Sequence, residues 1–256
     1  MILEVKNLSY RYYNSRTIFH DVSFGLSKGE VLSILGTNGA GKSTLLNCIA
    51  NLYRPQSGEI LLHNKPMTEM HMRDVAKVIG YVPQIHTPAY AYTVREFTVM
   101  GRTPYIGAFA KPKKEDYRIA DEALERMGIS HLSNKAYTEI SGGERQQVTI
   151  ARVIAQQPQL ILLDEPTAHL DYGNQYRVMQ MIKKLADKGF ALIMTTHNPD
   201  HAILLDGKVA ILNREGLLSV GLAKETLQKE TLSTLYGLNI KTVYDEDAKR
   251  NICVVC

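Results

Sequence analysis

The chain has 256 residues, of which 45% are hydrophobic and 22% charged, a globular composition that suits one large domain or two small ones. Its formal net charge of +4 is small and evenly spread along the chain, which argues against nucleic acid as a partner. The apolar stretches are too short to span a bilayer and the N-terminus does not resemble a secretory signal, so we expect a cytoplasmic protein that could still reach a membrane through a partner.

Short apolar runs predict strands, and apolar residues at helical spacing predict helices. In chain order we predict strands at 2–6 and 30–35, a helix at 42–51, strands at 58–63 and 78–82, helices at 115–127 and 143–155, a strand at 160–163, a helix at 174–188, and strands at 191–196 and 209–212. Prolines and glycines break the segment 84–112. From about residue 224 the chain is predicted to be helical and then unstructured. This alternation predicts an α/β protein with a mostly parallel sheet and an inserted helical region at about 84–157.

Three cysteines are present. An odd number, without the spacing of a disulfide framework, fits a reducing compartment. Cys253 and Cys256 form a lone C-x-x-C at the end of the printed sequence. A metal or redox site would need a second ligand pair or a thioredoxin-like context, and neither is visible. The alternative is a frayed tail.

One segment between a predicted strand and a predicted helix matches G-x-x-x-x-G-K-[ST]. Its residues are Gly36, Thr37, Asn38, Gly39, Ala40, Gly41, Lys42, Ser43 and Thr44. The glycines let backbone N–H groups turn around a β-phosphate, and the helix N-terminus adds its dipole. Lys42 brings positive charge to the β- and γ-phosphates, and Ser43 offers a hydroxyl to Mg²⁺. The segment therefore predicts ATP binding and hydrolysis.

Two further strand ends carry candidate catalytic groups. The apolar strand at 160–163 runs into Asp164 and Glu165. Asp164 can hold Mg²⁺, and Glu165 can reach a water poised for attack on the γ-phosphorus. His197 follows the strand 191–196, at the strand end where open α/β sheets bind ligands.

The segment Ile140, Ser141, Gly142, Gly143, Glu144 resembles the signature L-S-G-G-Q of ABC transporter ATPase subunits, with Ile for Leu and Glu for Gln. The resemblance covers about residues 1–235. It implies a P-loop NTPase (RecA-like) core at 1–83 and 158–235 with an N-terminal antiparallel β subdomain, an inserted α-helical subdomain at 84–157, and a tail at 236–256. The effect of Glu at position 144 stays open.

The same resemblance implies roles for single residues. Gln84 matches the glutamine that touches Mg²⁺ and water and senses the membrane partner. Asp171, in the segment 168–171, matches the loop that crosses to another subunit, and His197 matches the histidine that contacts the γ-phosphate. Tyr12 is the best candidate for stacking on adenine, with Tyr13 and Tyr10 as rivals.

The signature also implies a dimer. Ser141 and the N–H groups of Gly142 and Gly143 open a helix and form a second anion site. In the family this site, together with Glu144, serves the ATP held by a second copy of the chain. We therefore expect a head-to-tail homodimer that sandwiches two ATP molecules and separates after hydrolysis.

The segment 84–105, with Thr93-Val94-Arg95-Glu96 and Met100 to Tyr105, resembles importer ATPases for metal chelates such as ferric siderophores, haem and cobalamin; some relatives handle molybdate. In those importers this segment forms the groove that receives a short coupling helix from the permease. Tyr90 and Tyr92 are candidates for residues that line the groove. The resemblance implies a place on the cytoplasmic face of the inner membrane and an indirect link to a substrate-binding protein. A separate-subunit exporter and a soluble non-transport ABC ATPase are the alternatives. A GTP-binding switch is disfavoured because no N-K-x-D motif is found.

Overall fold

A computed structural model describes residues 1–13, 16–84, 90–107 and 109–256. The strands are β1 (Leu3–Arg11), β2 (Thr17–Leu26), β3 (Val31–Leu35), β4 (Ser57–Leu62), β5 (Lys65–Pro66), β6 (Ile79–Val82), β7 (Leu160–Asp164), β8 (Ala191–Thr196), β9 (Lys208–Leu212), β10 (Leu218–Leu222), β11 (Ile240–Asp245) and β12 (Arg250–Val255). The α-helices are α1 (Lys42–Ile49), α2 (Met72–Val78), α3 (Val94–Val99), α4 (Lys114–Arg126), α5 (Gly142–Ala155), α6 (Tyr172–Asp187), α7 (Pro199–Leu205), α8 (Ala223–Thr226) and α9 (Lys229–Tyr236). Short 3₁₀ helices lie at Met67–Glu69, Met100–Tyr105 and Ser130–Leu132. In the described parts of the chain, no helix has the length and apolar character that a membrane crossing needs.

The chain forms two compact units, one from Met1–Met70 with Met181–Cys256 and the other from His71–Gln180. In the first unit, β2, β1, β4 and β5 make an antiparallel sheet. Leu3 of β1 stands opposite Leu26 of β2 and Leu62 of β4, and all three side chains are at most 1% exposed. Burial of this apolar row sets the register of the sheet. The antiparallel β subdomain expected near the N-terminus is confirmed.

A second sheet of the first unit has β3 between β9 and β8, and both of these pairs are parallel. Every residue of β3 and β8 is buried, as expected of parallel strands covered on both faces. The register places Leu35 beside Thr196. Gly36 and His197 are therefore the first residues beyond two neighbouring strand ends, on the same edge of the sheet.

The second unit contains the parallel pair β6 and β7, in which Val82 lies beside Leu163. Gln84 and Asp164 thus lie close to one edge of this pair. The helices α3, α4 and α5 pack against one another, and the rings of Phe97 and Tyr137 stack with centroids 4.2 Å apart among them. The helical region expected within the chain is confirmed.

The first half of the chain contains elements that were not predicted, among them helix α2 (Met72–Val78). Strand β2 was not predicted, although it pairs with β1 along its length. The segment 84–112, predicted to be irregular, contains the six-residue helix α3. Thr93 and Glu96 cap α3 reciprocally, because each side chain accepts a hydrogen bond from the other residue's backbone N–H.

The prediction of an unstructured C-terminal tail is wrong. Strands β11 and β12 form an antiparallel hairpin that packs against α7 and α9. Ile240 is only 5% exposed in a core cluster with Leu232 and Ala202, and Cys253 packs on the same cluster. Cys253 and Cys256 are free thiols. Among the described residues, no group of three or more His, Cys, Asp or Glu could hold a metal ion.

Candidate functional site

The phosphate loop, the segment from Gly36 to Thr44 that is predicted to bind ATP, runs from the buried end of β3 into the first turn of α1. Gly41 precedes the helix with a φ of 101°, a conformation that L side chains rarely adopt. A Cβ at Gly41 would also lie 2.5 Å from the Ile18 side chain. Glycine is therefore required here by conformation and by space.

Lys42 is 5% exposed, and its side chain folds back over the loop. Its Nζ donates hydrogen bonds to the carbonyl oxygens of Gly36 at 2.9 Å and Thr37 at 3.3 Å. Ser43 follows it in the first turn of α1. The loop thus combines an ammonium group, a helix N-terminus and a hydroxyl, which suits an anionic ligand bound with a cation.

Tyr12 lies beside this loop. Its hydroxyl is 3.0 Å from the Thr44 hydroxyl, and its ring meets the Tyr10 ring edge-on at 5.1 Å. Tyr10 stacks on Tyr53 at 5.7 Å, and Tyr13 is 94% exposed. Of the three candidates for adenine stacking, Tyr12 therefore combines a contact to the loop with a partly exposed ring.

His197 is exposed at the end of β8. Its carbonyl oxygen accepts a hydrogen bond from the Tyr236 hydroxyl at 2.8 Å. His201, one turn into the helix that follows, is 9% exposed and lies 3.2 Å from the Thr196 hydroxyl. Burial, aided by His197, lowers the pKa of His201 to about 4, while Asp200 opposes the shift. His201 is therefore neutral at pH 7.

In the second unit, the structure brings Gln84 and Glu165 together, with Gln84 Nε2 donating to Glu165 Oε2 at 3.5 Å. The Tyr81 hydroxyl donates to Asp164 Oδ2 at 3.4 Å, and Asp164 is 4% exposed. Glu165 has a φ of 43°, and such left-handed non-glycine residues concentrate at functional sites. Two carboxylates and an amide therefore lie together at the C-terminal ends of β6 and β7.

The signature segment forms the N-terminus of α5. Ser141 caps the helix: its hydroxyl accepts from Glu144 N at 3.3 Å, and Glu144 Oε2 accepts from Ser141 N at 2.7 Å. Hydrogen bonds from Ser141 lower the pKa of Glu144. Either Glu or Gln can fill this position of a capping box, so the departure from the family signature keeps the local fold. The Ser-x-x-Glu spacing could have been recognised from the sequence.

Asn174 is not singled out by any motif in the sequence. Its backbone N–H and its side-chain amide donate to the two oxygens of Asp171 at 2.9 and 2.6 Å. A Cβ at Gly143 would lie 2.9 Å from the same Asn174 side chain. Asn174 thus joins the Asp171 loop to the signature helix. No local pattern predicts the proximity of Asn174 to Gly143, because these two residues are far apart in the chain.

The motif Met100 to Tyr105 has a structural role. Arg102 is buried and donates to Asp116 at 3.2 Å and to the carbonyl of Ala155 at 2.9 Å. Its guanidinium also lies 4.0 Å from the centre of the Tyr105 ring. Arg102 therefore ties the start of α4 to the end of α5.

Two aromatic residues precede this motif on the surface. Tyr90 and Tyr92 are 70% and 42% exposed, and their rings meet at 5.8 Å. Residues 85–89 of the predicted permease contact lie outside the described residues. The permease contact stays a prediction.

The sequence matches a known family and its members. The ABC transporter family model matches residues 19–168. The molybdate import ATP-binding protein MolC of Haemophilus influenzae is 38% identical over 237 residues, covering 92% of this chain and 88% of that protein. The iron(3+)-hydroxamate import ATP-binding protein FhuC of Bacillus subtilis is 30% identical over 243 residues, covering 94% and 90%.

Solved structures agree with the sequence matches. A metal-chelate type ABC transporter in an inward-facing conformation superposes with a TM-score of 0.88 and 34% identity, covering 100% of this chain and 97% of that chain. A dimeric bacterial ABC transporter cassette gives a TM-score of 0.73 and 27% identity, covering 87% and 99%. Because the family model spans more than half of the chain and the relatives match most of it, the chain belongs to the ABC transporter family, as one of its ATP-hydrolysing, ATP-binding proteins of the P-loop NTPase fold.

Proposed function

We propose that this chain is the ATPase subunit of an importer that takes up a metal-containing species, either a metal chelate such as a ferric siderophore, haem or cobalamin, or an oxyanion such as molybdate. The observation that carries the proposal is the likeness to two import ATP-binding proteins over 92% and 94% of the chain. Fold alone would leave the direction of transport open.

In the first unit, the phosphate loop from Gly36 to Thr44 is proposed to bind the phosphates of ATP. The Lys42 ammonium, already directed over the loop, stabilises their negative charge. Tyr12 stacks on adenine, and His197 contacts the γ-phosphate. In this assignment the aromatic ring of Tyr12 stacks on the base, and the positively charged Lys42 stabilises the phosphates.

In the second unit, Glu165 is proposed as the general base for the attacking water, with Gln84 orienting it. The family resemblance assigns Mg²⁺ to Ser43 of the first unit and to Gln84 and Asp164 of the second, and each offers the oxygen ligand that Mg²⁺ prefers. Bound Mg²⁺ would neutralise charge on the phosphates. A water deprotonated by Glu165 attacks the γ-phosphorus, and the β–γ bridging oxygen leaves with ADP.

We propose a head-to-tail homodimer as the active state. Ser141, Gly142, Gly143 and Glu144 of one copy would face the ATP held by the other, with Asp171 at the same interface. The dimeric structure of a bacterial ABC transporter cassette, to which this chain is similar, supports the existence of a dimer. Separation of the copies after hydrolysis would transmit work to the permease.

The permease is proposed to contact the segment 84–105, which places the chain at the cytoplasmic face of the inner membrane, with a substrate-binding protein on the other side. The functional division into a core at 1–83 and 158–235, a helical subdomain at 84–157 and a tail at 236–256 is part of the same proposal. No nucleic acid is expected to take part.

The test is co-purification followed by transport. The tagged chain is isolated from detergent-solubilised native membranes, its partners are identified, and the complex is reconstituted in vesicles with ATP on the cytoplasmic side. Uptake of molybdate, of a ferric siderophore, of haem and of cobalamin is measured separately, with the Lys42→Ala complex as control.

We expect a polytopic partner and ATP-dependent uptake of one of these substrates. Movement of substrate only from the cytoplasmic side outward would support an exporter instead. Association with ribosomes and the absence of any membrane partner would support a soluble ABC ATPase and contradict the proposal.

A further inference from the structure

The last residue of α9 reaches the strand end that carries the candidate catalytic histidine. The Tyr236 hydroxyl donates to the His197 carbonyl oxygen at 2.8 Å, across 39 residues of sequence. Burial raises the pKa of Tyr236, so the hydroxyl keeps its proton, and remains a donor, well above neutral pH. This contact holds the backbone of His197, an exposed residue.

Asn198, the residue after His197, is held by hydrogen bonds to the end of β8 and the start of α7. Asn198 N donates to the Thr196 hydroxyl at 3.1 Å, and the Asn198 side chain accepts from Asp200 N at 3.0 Å to cap α7. The Asn198 N–H and the His197 carbonyl belong to the same peptide plane, so the Thr196 and Tyr236 hydroxyls restrain that plane together. Rotation of that plane would displace the imidazole.

Tyr236 is itself held by the C-terminal hairpin. The Ser233 hydroxyl accepts a hydrogen bond from the Ile240 N–H at 3.1 Å and donates one to the Ile240 carbonyl oxygen at 3.2 Å. These bonds tie α9 to β11. Cys253 N donates to Asp200 Oδ1 at 3.0 Å, which ties β12 to α7. Helix α9, the hairpin and α7 therefore form a closed set of contacts around the His197 strand end.

We propose that Tyr236 is a positioning residue for His197, and that the C-terminal hairpin serves catalysis by holding Tyr236 in place. The inference rests on the proposed role of His197 at the γ-phosphate. Tyr236 touches neither nucleotide nor water in this proposal. It acts by fixing the backbone that presents the imidazole.

The experiment compares four full-length proteins with the wild type: Tyr236→Phe, His197→Ala, the double variant, and Tyr244→Phe. Tyr236→Phe removes the hydroxyl alone, and Tyr244 is a 55% exposed tyrosine on the same hairpin that serves as matched control. Single-turnover hydrolysis of radiolabelled ATP with excess protein gives the chemical rate even where steady-state turnover is low. ATP affinity and the thermal unfolding midpoint are measured alongside.

We expect Tyr236→Phe to lower the single-turnover rate about tenfold with unchanged ATP affinity, and Tyr244→Phe to match the wild type. Adding Tyr236→Phe to His197→Ala should cause no further loss, because the two residues act through one group. A further loss in the double variant, or a rate loss that follows the unfolding midpoint, would mark Tyr236 as merely structural.

The same data separate this inference from the proposed function. If His197→Ala hydrolyses ATP at the wild-type rate, the role of His197 is wrong and the inference falls with it. If His197→Ala is impaired while Tyr236→Phe is not, only the inference is overturned.

Discussion

The Tyr12 hydroxyl lies 3.0 Å from the hydroxyl of Thr44, the last residue of the phosphate loop. This contact connects the end of β1 with the first turn of α1. It holds a partly exposed aromatic ring, packed edge-on against Tyr10, beside the group expected to bind phosphate. An adenine ring linked to those phosphates could stack on that ring.

Tyr12→Ala should weaken ATP binding about tenfold, since stacking of a base on an aromatic ring contributes about 1–3 kcal/mol. Tyr12→Phe should stay close to wild type, because it keeps the ring and loses only the contact to Thr44. Calorimetric titration with ATP measures both. Tyr13→Ala, at a 94% exposed ring, is the control. A tenfold loss there with none at Tyr12 would reverse the assignment.

Glu165→Gln should reduce single-turnover hydrolysis by about a hundredfold or more, because an amide of the same size cannot accept the proton of the attacking water. The carbonyl oxygen of the glutamine keeps an acceptor for Gln84. ATP binding should survive, and the ATP-bound dimer should accumulate in light-scattering measurements. Lys42→Ala is the contrasting variant, which should lose binding itself. Unchanged turnover in Glu165→Gln would contradict the base assignment.

Glu144→Gln should strengthen ATP-dependent dimer formation about threefold, because it removes a negative charge from a helix N-terminus expected to face phosphate. The glutamine can still accept the hydrogen bond from Ser141 N. Stability should fall only slightly, by about 0.5 kcal/mol, through the lost charge–dipole interaction. The ATP concentration for half-maximal dimer formation is compared with that of Glu139→Gln, an exposed glutamate just before the signature. Equal shifts in both variants would contradict a local effect.

Arg102→Ala should destabilise the protein by about 3–5 kcal/mol, because it leaves the Asp116 carboxylate buried without its ionic partner. Arg95→Ala provides a matched control in the same unit. Arg95 makes a two-bond ion pair with Asp121 at 2.7 Å, but both side chains are more than 40% exposed. Its loss should cost at most about 1 kcal/mol. Urea unfolding measures both, and similar losses would show that burial does not set the difference.

His201 should make the protein sensitive to acid. Its pKa is about 4 in the folded chain against 6.5 as the ordinary value, so the unfolded chain binds more protons between these values. The stabilisation is complete above pH 6.5 and is lost as the pH falls toward 4, by about 3 kcal/mol at 1.36 kcal/mol per pH unit. His201→Gln should remove this slope. His63→Gln, at an exposed histidine, should keep it when free energies of unfolding are measured from pH 7 to 4.

Much of the candidate site could be predicted because its groups are close together in the chain. The phosphate loop and the signature each need consecutive backbone N–H groups at a helix start. A short run of neighbouring residues therefore suffices to predict them. Asp164 and Glu165 follow a buried strand that is recognisable from its apolar run. The role of Glu144 as a capping residue was also available from the Ser-x-x-Glu spacing.

The sequence by itself determined the α/β class, the phosphate loop, the signature and the order of most strands, since these depend on local periodicity and short motifs. Only the tertiary structure decided that Tyr12, rather than Tyr10 or Tyr13, lies at the loop. It also decided that the C-terminal segment is a hairpin holding Tyr236 against His197. Such contacts join residues tens of positions apart. They depend on tertiary burial, which a short stretch of sequence does not predict.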